Sequence, residues 1–525
     1  MPLRGGEGAD VQMLSGARER VRRVDPLLIG CCLVALVVYV LHGFDGLLAT
    51  DEGIYAYAGQ QVAEGVPPYV AIANRVGPLA HLLPGGAAAV GRLVGVDDLL
   101  AMRVFFMLLA VACVGLAYLV GRDVFRSRSA GVASAAALLS LHGFIELATY
   151  GPREKTPMVL FMLAALLAIA HQRWLTTGVM VSLATLTWQP SFFPLILATL
   201  VAVLLGLSVR KWWRALARVT IGGLVPTALT VGAYVAIDRL QMFLDCFVLI
   251  NAKYTYQLRR SVLDDTAAAW RLMDKHYGAS VWVIFAGLAA LLVSAAVAAV
   301  RRGDREPANA AQVGYGAGAL VSIWWTFQAL DGWPDAFLVF PFAAVGVGSL
   351  VQLVVDRAPG KVALASTLAV AATCTAIGVG YSVGKHDDRL VQQRAATATV
   401  MEVLPDARVY SVRAPQALVL THQRQGSRFQ LFAHGMYQYL NDTYPGGIRG
   451  YRLWVVRHAP TVIALRDAEP WWLEPTIRSS YVKVGRAPGW TWFVRRDVGE
   501  EALRDLDEAL AAPARQDEGH DRATR

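Results

Sequence analysis

Two adjacent carboxylates, Asp51 and Glu52, open the stretch LLATDEGIYAYAGQQVAEGVPPY, where a long apolar run gives way to a half-polar one. A carboxylate in that setting meets both lipid headgroups and water. It is a competent base for an acceptor hydroxyl and a hard oxygen ligand, so Asp51 and Glu52 are also the candidate holders of a divalent cation such as Mg or Mn. Asp51 equally fits a plainer role, capping a helix whose apolar stripe begins at Ile54.

Arg75, in PYVAIANRVGPLAHLLPG, is a single cation in an uncharged stretch. A guanidinium there suits a phosphate clamp, and it also suits snorkelling from an interfacial helix to headgroups. In TYGPREKTPMVLF, Arg153, Glu154 and Lys155 crowd a turn between Pro152 and Pro157, which offers an acid and two phosphate-facing cations or else a solvated charged turn. Asp331 and Asp335 in ALDGWPDAF are site carboxylates or turn formers, with the turn-forming reading preferred for each.

These residues need elements to position them, and the composition says what the elements are. Of 525 residues, 55% are hydrophobic and 17% charged, and the mean hydropathy is +0.42, which is too apolar for an ordinary soluble domain. Apolar spans are expected near 26–48, 101–121, 130–147, 157–171, 174–189, 191–209, 216–237, 278–300, 312–330, 334–355 and 361–382. Each must be helical, because lipid offers backbone groups no partner.

The fold class is therefore a polytopic α-helical membrane protein of about 11 spans. The net charge of +9 lies mostly between the apolar runs, so it does not argue for a nucleic-acid partner. Arg18 to Arg23, Arg122/Arg126/Arg128, Arg173, Arg210/Lys211/Arg214/Arg218, Arg301/Arg302/Arg305 and Arg357/Lys361 fall on one side. The junctions Trp188–Pro190 and Asp331–Asp335 on the other side carry no Lys or Arg. The positive-inside rule then places residues 1–25 in the cytoplasm of a plasma-membrane protein. Outer loops 49–100 and 238–277 and everything from about 383 face outward.

The first outer loop reads as helices lying along the membrane surface. Residues 383–499 read as an extracytoplasmic α/β domain, with β-rich Arg408–Val412 and Thr461–Leu465, helix-like Ile448–Arg457 and Trp472–Ser480, and a hairpin of Tyr481–Val484 with Thr491–Arg495 about Gly489. Residues 500–525 read as a charged, disordered tail. Cys31, Cys32, Cys113 and Cys374 lie in apolar runs and the segment after 385 has no cysteine, so neither a disulfide framework nor a cysteine metal site is expected. The first apolar run lacks a small-residue cleavage site and reads as an uncleaved anchor.

An acidic pair past the first span, a Tyr-rich helix, Gly-x-x-Pro-Tyr and a cation before Gly-Pro-Leu together resemble the polyprenyl-phosphate-sugar-dependent glycosyltransferases of the GT-C class. The protein O-mannosyltransferase-like and lipid A aminoarabinose transferase-like families are the nearest in pattern. The resemblance covers residues 26–385 and implies a GT-C-like catalytic domain over 26–382. It implies that Asp51 is the base, that Arg75 contacts the donor phosphate, and that Glu154 stands where Asp is more usual. The aromatic His-Tyr element of those families is replaced here by Asp331-Gly-Trp-Pro-Asp335.

The implied reaction transfers a sugar from a polyprenyl-phosphate donor to an acceptor hydroxyl of a glycan, lipid or protein, with inversion. Arg153 and Lys155 would join Arg75 at the donor phosphate. No nucleotide fingerprint is present, which disfavours a cytoplasmic nucleotide-sugar donor and ATP-driven transport. Two alternatives from other classes are a transporter or lipid flippase, and a glycan-binding membrane protein using Trp471-Trp472 and Trp490/Trp492 as stacking surfaces. A transporter predicts ionisable groups buried in mid-span and matched broken helices, which the sequence does not display clearly.

Overall fold

Asp25 accepts a hydrogen bond from the Leu27 amide at 3.3 Å and Pro26 fills the first helical position, so the first apolar run starts cleanly as helix α1, Pro26–His42. The computed structural model describes residues 25–255, 262–301, 306–330, 332–433, 435–466 and 469–521. After α1 come α2 (Thr50–Ala63), α3 (Leu79–Leu93), α4 (Asp98–Phe125), α5 (Arg128–Leu139), α6 (His142–Tyr150), α7 (Lys155–Ala170) and α8 (Trp174–Thr187). Helices α9 (Phe192–Gly206), α10 (Val209–Ala236) and α11 (Leu240–Leu244) lead into a π-helical stretch, Asp245–Thr255. Then follow α12 (Val262–Tyr277), α13 (Ser280–Val300), α14 (Pro307–Ala329), a 3-10 turn at Trp333–Leu338, α15 (Phe340–Val355) and α16 (Gly360–Gly384).

Every apolar run expected to span falls on helix. By length and apolarity, however, only five helical segments among the described residues qualify as crossing a membrane, or six with one bent pair. That pair falls on the span expected at 130–147, which is therefore bent where a straight helix was expected: α5 and α6 meet at 67°. Ser140 turns its hydroxyl back to the Ala137 carbonyl at 2.7 Å, a local bond that competes with the helix ladder where the chain breaks. Close helix contacts rest on small residues. A Cβ on Gly346 of α15 would lie 1.8 Å from the Gly287 carbonyl of α13, and one on Gly287 would lie 2.2 Å from the Ala343 carbonyl.

The remaining elements are α17 (Arg389–Val403), β1 (Val409–Val412), α18 (Pro415–Thr421), α19 (Met436–Thr443), α20 (Gly447–His458), β2 (Val462–Leu465), α21 (Glu474–Ser480), β3 (Tyr481–Ala487), β4 (Trp490–Arg495) and α22 (Glu500–Asp521). The four strands form one sheet in the order β1-β2-β4-β3, with β1 and β2 parallel and the other pairs antiparallel. Gly489, at φ 95°, supplies the left-handed residue that the β3–β4 turn requires.

Three expectations need correcting here. Glu500–Asp521 of the expected disordered tail is a helix, because Leu506 and Leu510 share one face and are buried in the core beside β3, and residues 522–525 lie outside the described residues. Arg504, Asp505, Asp507 and Glu508 between and beside those leucines are exposed, and these charges mask the apolar pattern in the composition. Helix α2 does not lie half-exposed on a surface, since Glu52 through Gln61 are all buried. It is sandwiched between α3 and α18, with Gly59 against Pro84 and Gly53 against the Gln416 backbone. Finally, Trp472, Trp490 and Trp492 are core residues, which leaves Trp471, 61% exposed, as the only one of the four tryptophans open to stacking.

The Gly287–Gly346 contact gives the first test. Gly346→Val should abolish the yield of monodisperse protein after detergent extraction, because a branched side chain meets backbone that cannot yield. Gly232→Ala, where a Cβ meets nothing within 4 Å, should leave the yield unchanged and raise stability by about 0.5–1 kcal/mol. Equal yields for the two variants would contradict the packing.

Candidate active site

The seven residues between α1 and α2 decide where Asp51 and Glu52 stand. Gly43 ends α1 at φ 83°, and the chain then runs past Arg103, a 1%-exposed guanidinium near the start of α4 that donates to the carbonyls of Phe44 and, at 2.9 Å, Gly46. Asp387 accepts from the Leu47 amide at 3.2 Å, and Gln393 exchanges two 3.0 Å bonds with the Leu48 backbone. Thus α4 and the start of the C-terminal elements together fix the approach to α2.

Asp51 and Glu52 occupy the first turn of α2, where the exposed amides favour negative charge. Asp51 does not cap the helix: the cap residue is Ala49, and no side chain bonds there. Instead both acids take the fork of Arg153, whose Nη2 lies 2.6 Å from Asp51 Oδ2 and Nη1 2.8 Å from Glu52 Oε1. Asp51 is half exposed at 50% and Glu52 only 5%. Burial pushes the Glu52 carboxyl above its ordinary range, with the Arg153 charge pulling the other way.

The chain of charges continues along the start of α7. Arg153 Nε is 3.8 Å from Glu154 Oε2, Lys155 Nζ is 3.4 Å from Glu154 Oε1, and Lys155 Nζ is 2.9 Å from Asp335 Oδ1. Lys155 Nζ also sits 3.1 Å from the centroid of the Trp188 ring. Asp335 accepts from the Gly332 amide at 3.3 Å, within the 3-10 turn. So the structure gathers Asp51, Glu52, Arg153, Glu154, Lys155 and Asp335 into one ion-pair network. Asp331 lies outside the described residues.

Arg75 reaches the same region through its backbone. Its carbonyl accepts from Gln189 at 2.9 Å and Asn251 at 2.7 Å, and Gln189 follows Trp188 directly. The loop around it is tied by Tyr69 to Val76 at 2.7 Å and by the Arg75 amide to Asn74 at 2.7 Å. Gly77 packs on the end of α8, where a Cβ would lie 1.8 Å from the Leu186 carbonyl.

Sequence reasoning missed Trp188, Arg103 and His81. Trp188 carried a signal, an aromatic in an uncharged outer junction. Arg103 and His81 carried none, since each is a lone polar residue whose partners are distant in the chain. His81 is fully buried with Asn74 Nδ2 3.5 Å from its Nε2, and burial holds its pKa down at about 3.

Among the described residues, no three His, Cys, Asp or Glu side chains converge in a way that could hold a metal ion. Asp51 and Glu52 direct oxygens at Arg153, so a cation at this pair would have to displace the guanidinium. The acid pair in this geometry does not fit a divalent ion, and no chemical step is routed through one.

No protein-family model and no curated protein matches the sequence. Solved structures do match. ArnT from Cupriavidus metallidurans in the apo state aligns over 89% of this chain and 97% of its own with a TM-score of 0.61 at 16% identity. The chain has the ArnT fold. The same enzyme bound to undecaprenyl phosphate aligns with a TM-score of 0.62, again at 16% identity, over 89% of this chain and 98% of that one. The apo oligosaccharyltransferase of Archaeoglobus fulgidus aligns less closely, with a TM-score of 0.50 and 13% identity over 92% of this chain and 77% of its own. Both relatives in fold are GT-C glycosyltransferases, so the ArnT fold is the architecture that the resemblance implied.

Two stability tests follow. Arg153→Ala strands the buried Glu52 carboxylate and should destabilise the protein by about 3–5 kcal/mol, much of which Glu52→Gln in the same chain should restore. Additive losses in that cycle, read by thermal unfolding in detergent, would show the pair to be uncoupled. For His81 the folded pKa lies below the unfolded one, so the unfolded chain takes up a proton first as pH falls below about 6.5. Between pH 7.5 and 5 this group should cost about 2 kcal/mol of stability, and His81→Gln should flatten the fall in Tm by that share. An unchanged slope would mean that His81 is not held neutral.

Proposed function

We propose that this chain is an integral-membrane glycosyltransferase that moves a sugar from a polyprenyl-phosphate donor to an acceptor hydroxyl on the outer face of the plasma membrane, with inversion. The observation that carries the reading is the Asp51–Glu52–Arg153 fork, continued by Lys155, at one end of a helical bundle with the ArnT fold. In ArnT itself the fold holds undecaprenyl phosphate. In this reading the bundle crosses the membrane eleven times with its N-terminus in the cytoplasm, and residues 383–499 stand outside.

Asp51 is the base. Its half-exposed carboxylate takes the proton of the acceptor hydroxyl as the oxygen attacks the anomeric carbon, and the bond from that carbon to the phosphate oxygen breaks. The polyprenyl phosphate leaves with the bond's electrons. Arg153, Lys155 and Arg75 stabilise the charge it acquires. The phosphate competes with Asp51 for the Arg153 fork, so donor arrival frees the base. Glu52, buried behind it, keeps the guanidinium in place, while Glu154 and Asp335 hold Lys155.

The test is a membrane assay with radiolabelled polyprenyl-phosphate sugars, scanning for a donor that is consumed. Asp51→Asn should abolish turnover at normal membrane insertion. Arg75→Ala should cost roughly 2 to 4 kcal/mol of transition-state stabilisation, about 30- to 900-fold in rate per folded molecule, and Arg75→Lys a smaller part of it. If Arg75→Ala kept full activity, the phosphate role would fall to Arg153 and Lys155. If no donor were consumed by wild-type membranes, the glycosyltransferase reading would fail.

A further inference from the structure

Away from the acid network, a cavity of about 380 Å³ opens where α2, the start of α4, α17 and α18 meet. Its polar side chains are Gln60, Asp97, Arg394, Thr397, Thr421 and His422. They are held and not loose. Asp97 Oδ1 caps α4 through the Leu100 amide at 2.9 Å and pairs with Arg394 Nη2 at 2.9 Å. Gln60, 3% exposed, donates to the Val419 carbonyl at 3.2 Å and lies 3.3 Å from His422 Nδ1. That contact engages the Nδ1 edge of the His422 ring. His422 itself is set at φ 52°, a left-handed conformation that few side-chain-bearing residues adopt.

The charge in the cavity is balanced, one carboxylate against one guanidinium. An anionic ligand would meet Asp97, and a cationic one Arg394. Between the polar groups lie Leu99, Met401 and Val419, which offer apolar surface. An uncharged ligand with hydroxyls at its edges and C–H faces between them satisfies both kinds of surface, and a volume of this size is that of a small-molecule site.

We infer that this cavity binds a neutral saccharide, at a site separate from the acid network; the site does not rest on the glycosyltransferase reading. Gln60 is on α2 nine residues after Asp51, about 13 Å along the axis and half a turn around it, so the cavity lies on the side of the helix away from the proposed base.

The experiment uses the full chain in lipid nanodiscs and an array of neutral mono- to tetrasaccharide methyl glycosides, with their uronic-acid counterparts alongside. Ala398→Trp fills the cavity from an exposed helical position, and Thr397→Val removes a hydroxyl at constant shape as a second variant. Wild type and Asp51→Asn should bind a common set of neutral glycosides, with affinity at least about tenfold weaker in Ala398→Trp and measurably weaker in Thr397→Val. Absence of any neutral ligand, preference for the uronic acids, or equal binding in Ala398→Trp would overturn the site. Binding with this pattern but no donor consumed by wild type would keep the site and remove the glycosyltransferase reading instead.

Discussion

A guanidinium that is only 13% exposed has to be paired, and the pairing of Arg153 organises this molecule. Its fork reaches two acids on α2, and its neighbour Lys155 reaches Asp335, on the turn before α15. Three stretches far apart in the chain are thereby fastened at one end of the bundle. The bend between α5 and α6 serves the same end, because α6 runs directly into Gly151, Pro152 and Arg153. A straight continuous helix would deliver that turn in a different direction.

The C-terminal elements take part in the same arrangement. Gln393 and Asp387 fasten the chain leading to α2, and α18 covers α2 along the side that Gly53 leaves open. Residues Glu52–Gln61 of α2 are consequently buried despite a sequence that is only half apolar. Its tyrosines and glutamines find partners: Tyr57 accepts from the Gln425 amide at 3.1 Å and Gln60 bonds to Val419. Polar residues can be buried in this number because the elements around them supply the hydrogen bonds.

Much of this was legible from sequence, for identifiable reasons. Apolar runs bounded by arginines gave the helices, since period and composition are local properties. The β-rich runs, the hairpin at Gly489 and the candidate acids and cations were legible in the same way, and of the candidates Asp51, Glu52, Arg153, Glu154, Lys155 and Asp335 proved to share one network. What stayed hidden depends on distant contacts. Arg103 serves two carbonyls more than fifty residues away, His81 is buried by elements it does not adjoin in sequence, and α22 looks like a solvated tail until β3 is there to receive Leu506 and Leu510. The bend at Ser140 was missed because a serine within an apolar run is as readily part of a straight helix as of a broken one.

The adjacency of Asp51 and Glu52 is itself informative. On a helix of 3.6 residues per turn, neighbours point about 100° apart, so two successive acids face different directions. Here one is 50% exposed and the other 5%. Acids four residues apart would lie on one face and would be exposed or buried together. The successive arrangement here gives a single guanidinium one partner in water and one in the interior. In the proposed reaction those positions have different duties. The exposed carboxylate can exchange its proton with an acceptor and with solvent, while the buried one keeps Arg153 in place when the phosphate takes the other arm of the fork. Exchanging the two acids' environments would put the base where no acceptor reaches it, so the order of this pair relative to the start of α2 matters as well as its charge.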